Sequence, residues 1–416
     1  MKKFLLALIL MITITTVVCS QESKQKDVSS STDIKITKHP NIANFNRGIL
    51  YSFPSYNSNH QDEGAIDLRG YDLSSIELKD KFNDLMYSYF DSKTIWPESL
   101  PDKFDPEKIM ELGKNPGLNV DRLHEKGITG KNIGIAIIDQ ALLVDHTEYK
   151  NNLKMYEEIH CSDSAAQMHG SAVASIAVGK SIGVAPEADL YYIAETHGDY
   201  KDDGFDWDFT WLAKSIDRIL EVNKALPNDK KIRVISISVG WDKSQKGYEE
   251  VEKSVNNAKK QGIFVVSSSL KNTYGYMFNG LGRNPLKDPN LDSSYEPGLF
   301  WANKYYEDYN KYYSKVGESN SVSNSDVLLI PMDSRTTASP TGIDDYVFYR
   351  EGGWSWSIPY IAGLYALACQ FKPDITPDIF WSTALETGDI IKVLNNNNEY
   401  ELKKIVNPVR LIEAIE

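Results

Sequence analysis

One short run of residues restricts the fold of this chain more than any other. From Lys131 to Asp139 the sequence reads Lys-Asn-Ile-Gly-Ile-Ala-Ile-Ile-Asp, an apolar segment rich in β-branched residues that closes on a carboxylate. A strand with one face in solvent alternates polar and apolar residues, whereas a strand covered on both faces is apolar throughout. The segment therefore predicts a central strand of a parallel sheet with helices on both faces.

Further strands and helices alternate along the chain from residue 115 onward. Strands are predicted at Ile133–Asp139, Leu190–Ala194, Arg233–Val239, Ile263–Ser269 and Val327–Met332. Helices are predicted at His169–Val178, Phe209–Val222, Gly247–Lys260 and Ser357–Phe371. The C-terminal part reads as a helix from Thr376, a hairpin around Asn395–Asn398 and a last helix from Pro408. This alternation is typical of an α/β fold.

Two polar residues occur where such a fold carries functional groups. Asp139 closes the first strand, and the functional groups of parallel sheets lie just beyond the carboxyl ends of the strands. His169 opens a helix of small residues that ends at Gly179. A lone histidine at a helix start is usually structural, so its interpretation depends on a third motif.

That third motif is Gly353-Trp-Ser-Trp-Ser-Ile-Pro-Tyr-Ile-Ala-Gly363, in which Ser355 lies between two tryptophans. A buried helix is predicted from Ser357, with Pro359 in its first turn, where a missing N–H costs no helical hydrogen bond. Ser355 would then lie at a helix N-terminus, where free N–H groups and the dipole favour a developing negative charge. The alternative is a buried helix whose first turn happens to carry serines.

The order of these three residues along the chain separates the families of serine hydrolases. The α/β-hydrolase order is Ser, Asp, His and the chymotrypsin order is His, Asp, Ser, whereas this chain has Asp139, His169 and Ser355. The order and the three motifs resemble the subtilisin-like serine peptidase (subtilase) family, and so do Gly183-Val-Ala-Pro186 and Ile235-Ser-Ile-Ser-Val-Gly240. The resemblance covers residues 116–416. It implies a three-layer α/β fold with a mostly parallel sheet and helices on both faces.

The resemblance also implies a role for each motif. Ser355 would be the nucleophile, His169 the general base, and Asp139 the carboxylate that orients the imidazole. The strand end that lines the substrate cleft would contribute Ser238, Val239 and Gly240.

The family's oxyanion hole uses an asparagine amide after the strand that corresponds to Ile263–Ser269. Ungapped alignment puts Lys271 at that position, and a one-residue shift puts Asn272 there. We predict Asn272, because a short amide is held more firmly than a flexible amine and because a lysine cation would disfavour the imidazolium. The backbone N–H of Ser355 would be the second donor.

Three positions depart from the family motifs. Trp354 and Trp356 replace a threonine and a methionine, and Ala172 replaces the second histidine of His-Gly-Thr-His. Two functions therefore stay open, an exported serine endopeptidase acting through an acyl-enzyme and a catalytically inactive subtilisin-like binding protein. We favour the first because all three triad residues are present. Its partners would be protein or peptide substrates.

A long polar and aromatic insertion separates Ser269 from Val327. Long loops in compact domains are usually functional or disordered. The insertion would lie beside the cleft, either as a lid or specificity loop or as an exposed decoration.

The N-terminal part divides into three segments. Residues 1–19 carry Lys2, Lys3 and an apolar run too short to span a membrane, which predicts an export signal. Cys19 follows a loose lipoprotein box, so we expect a lipid-anchored envelope protein, with ordinary cleavage after Ser20 and secretion as the alternative. Residues 20–60 read as a disordered tether and residues 61–115 as an N-terminal extension or prosegment, in which 65–69 resembles a strand and Leu78–Phe90 a helix. Residues 116–416 form the predicted peptidase domain.

Composition limits the partners and cofactors. A net charge of −13 argues against nucleic acid, because phosphate binding needs a basic surface. Cys161 and Cys369 are too few for a disulfide framework and read as free thiols. The seven histidines show no zinc-ligand spacing. Calcium is common in the family, so it is the one cofactor that the resemblance leaves open, although no ligand cluster is legible.

Overall fold

A computed structural model describes residues 33–57, 65–202, 204–313 and 327–416, with side chains undescribed at 308–313. The predicted export signal and Cys19 lie outside the described residues. The strands are β1 (Gly48–Ile49), β2 (Ile66–Asp67), β3 (Tyr71–Asp72), β4 (Ser88–Asp91), β5 (Gly134–Asp139), β6 (Leu153–Glu158), β7 (Asp189–Ala194), β8 (Gly198–Lys201), β9 (Gly204–Trp207), β10 (Ile232–Ile237), β11 (Phe264–Ser267), β12 (Met277–Arg283), β13 (Tyr295–Pro297), β14 (Val327–Pro331), β15 (Arg335–Ala338), β16 (Tyr346–Tyr349), β17 (Asp389–Asn395) and β18 (Asn398–Ile405). The helices are α1 (Phe82–Leu85), α2 (Pro106–Lys114), α3 (Val120–Glu125), α4 (Met168–Val178), α5 (Thr210–Ala225), α6 (Tyr248–Lys260), α7 (Leu270–Tyr274), α8 (Leu299–Tyr313), α9 (Trp354–Phe371), α10 (Pro377–Thr387) and α11 (Pro408–Ala414).

The central sheet is parallel, with strand order β11-β10-β5-β7-β6. Every residue of β5 is buried, as its continuous apolar sequence predicts. Ile135 and Ile137 join a core that includes α4 and α9, whereas Ala136 and Ile138 join a second core that includes α5 and α6. The two alternating faces of one strand thus serve two separate cores, which confirms the three-layer α/β fold.

Helix α9 begins earlier than the sequence indicated. It starts at Trp354 rather than Ser357, so Pro359 is its sixth residue and lies beyond the first turn. The prediction for Pro359 is therefore wrong, and an interior proline leaves one helical carbonyl without its N–H partner. That carbonyl belongs to Ser355, as described below.

Part of the insertion between Ser269 and Val327 forms regular strands and helices rather than a loop. Strand β12 lies between β13 and β14 in a second sheet, with order β13-β12-β14-β18-β17. Helix α8 follows, and residues 314–326 lie outside the described part of the chain. The C-terminal helix, hairpin and helix are confirmed, with Asn395 paired to Asn398 at the hairpin turn.

The segment from residue 65 to 115 packs against the rest of the chain. Strand β4 pairs with β16 in a third sheet, with order β15-β16-β4-β2. Its apolar side chains form a core that includes Phe348 of β16. The helix expected at Leu78–Phe90 is limited to Phe82–Leu85, because the residues that follow pair as β4. Whether this segment is a permanent extension or a cleaved prosegment stays a prediction.

Residues 33–57 differ from the prediction of a disordered tether. The N–H of Thr37 donates to the carbonyl of Tyr156 at 3.0 Å, and the N–H of Ala43 donates to that of Pro340 at 3.0 Å. Backbone pairing with the edge of the central sheet offsets the low hydrophobicity on which the prediction rested. Among the described residues, no helix combines the length and the apolar character needed to cross a bilayer.

Candidate active site

Asp139 and His169 meet at the carboxyl end of the central strand. Asp139 is the last residue of β5 and is 4% exposed, and His169 lies in the first turn of α4. Nδ1 of His169 donates to Oδ1 of Asp139 at 2.7 Å, since an ionised carboxylate only accepts. With its proton on Nδ1, the neutral imidazole presents its lone pair at Nε2. A Cβ on Gly170 would overlap the carbonyl of Gln140, so the glycine after His169 allows this close approach.

The pKa of His169 lies above its ordinary value. Burial alone would lower this pKa, but the charge of Asp139 and the hydrogen bond to it outweigh burial. The His169 side chain remains 31% exposed, so a substrate can reach the ring. The carboxylate therefore stabilises the imidazolium, which is the species that forms when a histidine takes a proton from a nucleophile.

Ser355 is the second residue of α9. The residue before the helix, Gly353, has a φ of 66°, a conformation that glycine adopts without strain. The N–H groups in the first turn of a helix have no acceptor within the helix. The N–H of Ser355 is one of these, so it is a candidate donor to an oxyanion.

Ser238 completes the hydrogen bonding around Ser355. Because Pro359 has no N–H, the carbonyl of Ser355, four residues earlier, lacks its helical donor. The hydroxyl of Ser238 donates to this carbonyl at 3.1 Å. In return, Oγ of Ser355 donates to the carbonyl of Ser238 at 3.4 Å. The residue after β10 thus anchors the main chain of the candidate nucleophile.

The Trp356 ring joins His169 to the helix that carries the candidate nucleophile. Its ring lies 5.4 Å from that of His169 between centroids and is 5% exposed. Tyr349 packs edge-on against the same indole at 5.2 Å. The Ser355 hydroxyl itself donates to the carbonyl of Ser238 and not to His169, so the Asp139–His169 pair meets α9 through the Trp356 ring rather than through a direct hydrogen bond to Ser355.

The other two residues of the predicted substrate segment lie at the same sheet edge. The carbonyl of Val239 accepts the N–H of Ser268 at 3.1 Å. Gly240 packs closely against Ser268 and Ser269. The segment 238–240 therefore runs from Ser355 toward the residues that follow β11.

The predicted oxyanion donor, Asn272, lies on α7 just after β11, and its side chain is exposed, as is that of Lys271. A different amide touches the neighbour of Ser355. Oδ1 of Asn279 accepts the indole N–H of Trp354 at 3.0 Å. The assignment of the oxyanion donor to Asn272 stays a prediction.

Three other histidines that could act as bases, His146, His160 and His197, lie in other surroundings. His146 is buried and contacts the carbonyl of Asp345 at 2.9 Å. His160 stacks on Trp211 at 4.2 Å. His197 pairs with the fully buried carboxylate of Glu195, a pairing that sequence reasoning missed, and exposed carboxylates pair with His39 and His160.

Cys161 and Cys369 are free thiols, and burial raises the pKa of each to about 12. Among the described residues, no three His, Cys, Asp or Glu side chains are grouped to hold a metal ion. Calcium therefore stays an expectation from the family resemblance.

One further residue near the candidate nucleophile, Asp333, carried no sequence signal. The carboxylate of Asp333 is 2% exposed and accepts the N–H of Gly352 at 3.0 Å and that of Leu299 at 2.8 Å. It joins the segment before Ser355 to the start of α8. The sequence predicted Ser238 only as a substrate-binding residue, and its hydrogen bond to the carbonyl of Ser355 joins residues that are 117 positions apart.

The comparisons with known proteins agree with this architecture. A family model described as the subtilase family matches residues 130–387, more than half of the 416 residues. The major intracellular serine protease of Bacillus subtilis (strain 168) is 28% identical over 179 residues, which is 39% of this chain and 51% of that protein. The matching region thus spans about half the length of this relative.

One solved structure that is similar to this chain is that of the prenylagaramide maturation protease PagA. It covers 72% of this chain and 99% of its own, at 16% identity and a TM-score of 0.49.

Proposed function

The chain belongs to the subtilase family of serine peptidases, and on that premise we propose that it is a serine endopeptidase acting through Asp139, His169 and Ser355. Oγ of Ser355 attacks the scissile carbonyl while Nε2 of His169 takes its proton. Asp139 holds the imidazole through Nδ1 and stabilises the imidazolium. His169 then gives the proton to the leaving amine, and water hydrolyses the acyl-enzyme by the same route.

The oxyanion of each tetrahedral intermediate needs fixed donors. The first is the N–H of Ser355 at the start of α9, and the second is the amide of Asn272. One such side-chain donor is worth about 100- to 1,000-fold in turnover. Residues 238–240 would bind the substrate main chain beside Ser355.

The observation that carries this proposal is the 2.7 Å hydrogen bond between His169 and the buried Asp139, beside the tryptophan that follows Ser355. A histidine with a raised pKa, held by a carboxylate next to a helix N-terminus, is suited to general base catalysis. These features support acyl transfer rather than a structural role.

Active-site labelling tests the proposal. A fluorophosphonate probe should label the purified wild-type chain covalently, and Ser355→Ala should abolish the label. Ser357→Ala, two residues further along the same helix, is the matched control and should retain it. Labelling that survives in Ser355→Ala would refute the assignment of the nucleophile.

A catalytically inactive binding protein is the second candidate. It is favoured by the hydrogen bond from Oγ of Ser355 to the carbonyl of Ser238, which directs the hydroxyl to the main chain. The two functions differ in one measurement. An inactive protein would bind peptides but would neither react with the probe nor cleave them.

We also propose export to the cell envelope. The support is the sequence of residues 1–19, with two lysines, an apolar run and Cys19. Metabolic labelling with a palmitate analogue should mark the wild-type chain and Cys161→Ala but not Cys19→Ala. A cytoplasmic protein that keeps residues 1–18 would contradict export, and an exported chain without the label would indicate secretion.

A further inference from the structure

An aromatic surface lies directly beside the candidate nucleophile. It consists of Phe278, Phe300 and Trp354, here called the aromatic wall. Trp354 precedes Ser355 in sequence and is 38% exposed, and Phe300 is 39% exposed. The centroid of the Trp354 ring lies 5.9 Å from that of Phe300 and 5.6 Å from that of Phe278. Single scattered aromatic residues on a surface are normal, whereas a contiguous exposed apolar group is typical of a binding site.

The Trp354 indole is held in one orientation. Its Nε1 donates to Oδ1 of Asn279 at 3.0 Å. The same oxygen accepts the N–H of Gly280 at 3.0 Å, so two donors fix the Asn279 amide. A ring whose position is fixed before binding loses little conformational entropy when it meets a ligand.

Phe300 reaches the wall from the insertion, and its position is also fixed. It is the second residue of α8, whose first N–H, from Leu299, donates to the buried carboxylate of Asp333. The other oxygen of Asp333 accepts the N–H of Gly352, three residues before Ser355. On the far side, the indole N–H of Trp301 donates to the carbonyl of Gly280 at 2.6 Å. The start of α8 is therefore tied to the nucleophile segment and to β12.

We propose that the aromatic wall is a specificity subsite that binds an apolar side chain of the peptide substrate, on a residue next to the scissile bond. The proposal rests on the proposed peptidase function. Because the acyl carbon bonds to Ser355 and Trp354 is its neighbour in the chain, a substrate residue flanking that bond passes beside the indole. The exposed faces of Trp354 and Phe300 then exchange water for apolar contact, which favours aromatic and aliphatic side chains over polar ones.

Matched peptides test the subsite. The substrates are internally quenched peptides with one susceptible bond, whose position is located by mass spectrometry. The peptides in a set differ only in one residue next to this bond, which is Phe, Leu or Ser, and one set is made for each side of the bond. For the wild type, kcat/KM should be at least about 10-fold higher for Phe than for Ser on one side of the bond. Phe300→Ala should reduce this Phe-to-Ser ratio by about 10-fold or more.

The control is Phe371→Ala, since Phe371 is also 39% exposed but lies at the other end of α9. Its Phe-to-Ser ratio should equal that of the wild type. A second variant, Phe300→Glu, should raise kcat/KM for a peptide with Lys at the same position, a gain that misfolding cannot produce. Thermal melts verify that each variant is folded.

The outcomes separate the two proposals. In one outcome the wild type is labelled and cleaves peptides, but a folded Phe300→Ala keeps the wild-type Phe-to-Ser ratio and Phe300→Glu does not raise kcat/KM for the Lys peptide. The proposed subsite is then wrong, and the peptidase function stands. If the wild type is neither labelled nor active on any peptide, the peptidase function fails and the subsite falls with it.

Discussion

Replacing Ser238 tests how the fold holds the proposed nucleophile, Ser355, in place. Its hydroxyl donates at 3.1 Å to the carbonyl of Ser355, which has no helical donor because Pro359 lacks an N–H. Ser238→Ala removes this hydrogen bond and leaves the carbonyl unpaired. Pro359→Ala should supply a backbone N–H in its place.

The size of the effect follows from burial. Leaving a buried acceptor unpaired costs about 1–3 kcal/mol, and both Ser238 and Ser355 are half-buried, so water recovers part of this. We expect Ser238→Ala to lower the free energy of unfolding by about 1 kcal/mol. For a chain of this size that corresponds to a fall in Tm of about 1–2 °C. In the Pro359→Ala background, Ser238→Ala should lower the free energy of unfolding by about 0.3 kcal/mol or less. A difference of this size is within the deviation from additivity that is found for independent mutations.

The measurement is a double-mutant cycle by urea denaturation, run in the Ser355→Ala background so that self-digestion does not interfere. Ser236→Ala is the matched control, because Ser236 lies on β10 two residues before Ser238 and its buried hydroxyl has no partner among the described residues. That change should be neutral or slightly stabilising. An equal cost of Ser238→Ala in both Pro359 backgrounds would refute the reasoning, since the hydroxyl would not be replacing the missing N–H.

Three further predictions concern the chemistry. Asp139→Asn should lower kcat by about 10,000-fold with the fold intact, because the imidazole loses its orienting carboxylate, and a loss below about 10-fold would remove Asp139 from the mechanism. Because the pKa of His169 is raised, kcat/KM should fall as pH falls through a value above the ordinary ~6.5 of histidine, and a midpoint below that value would contradict the pairing with Asp139. The raised pKa of His169 also contributes to the free energy of unfolding. This contribution is complete below pH ~6.5 and is lost as the pH rises through the raised pKa. Asn272→Ala should lower kcat by about 100-fold or more with little change in KM. Lys271→Ala should lower kcat far less. If Asn279→Ala lowers kcat more than Asn272→Ala does, the oxyanion donor is the Asn279 amide.

The sequence alone determined the architecture and the chemical groups. The uninterrupted apolar run of β5 specifies a strand covered on both faces, and Asp139 follows it at the edge where functional groups collect. The small residues of α4 and α9 specify helices that pack closely around a histidine and a serine. These features are local, because strand burial and helix periodicity are properties of consecutive residues.

Only the tertiary structure decided which distant groups meet. The residues after Leu85 form a strand because β16 is available to pair with them, not because their own pattern demands it. Ser238 supplies the hydrogen bond that Pro359 removes, although 117 residues separate Ser238 from Ser355. Phe300 reaches Trp354 because a buried carboxylate accepts N–H groups from two segments. Such contacts depend on chain partners brought together by folding, and no local sequence period encodes them.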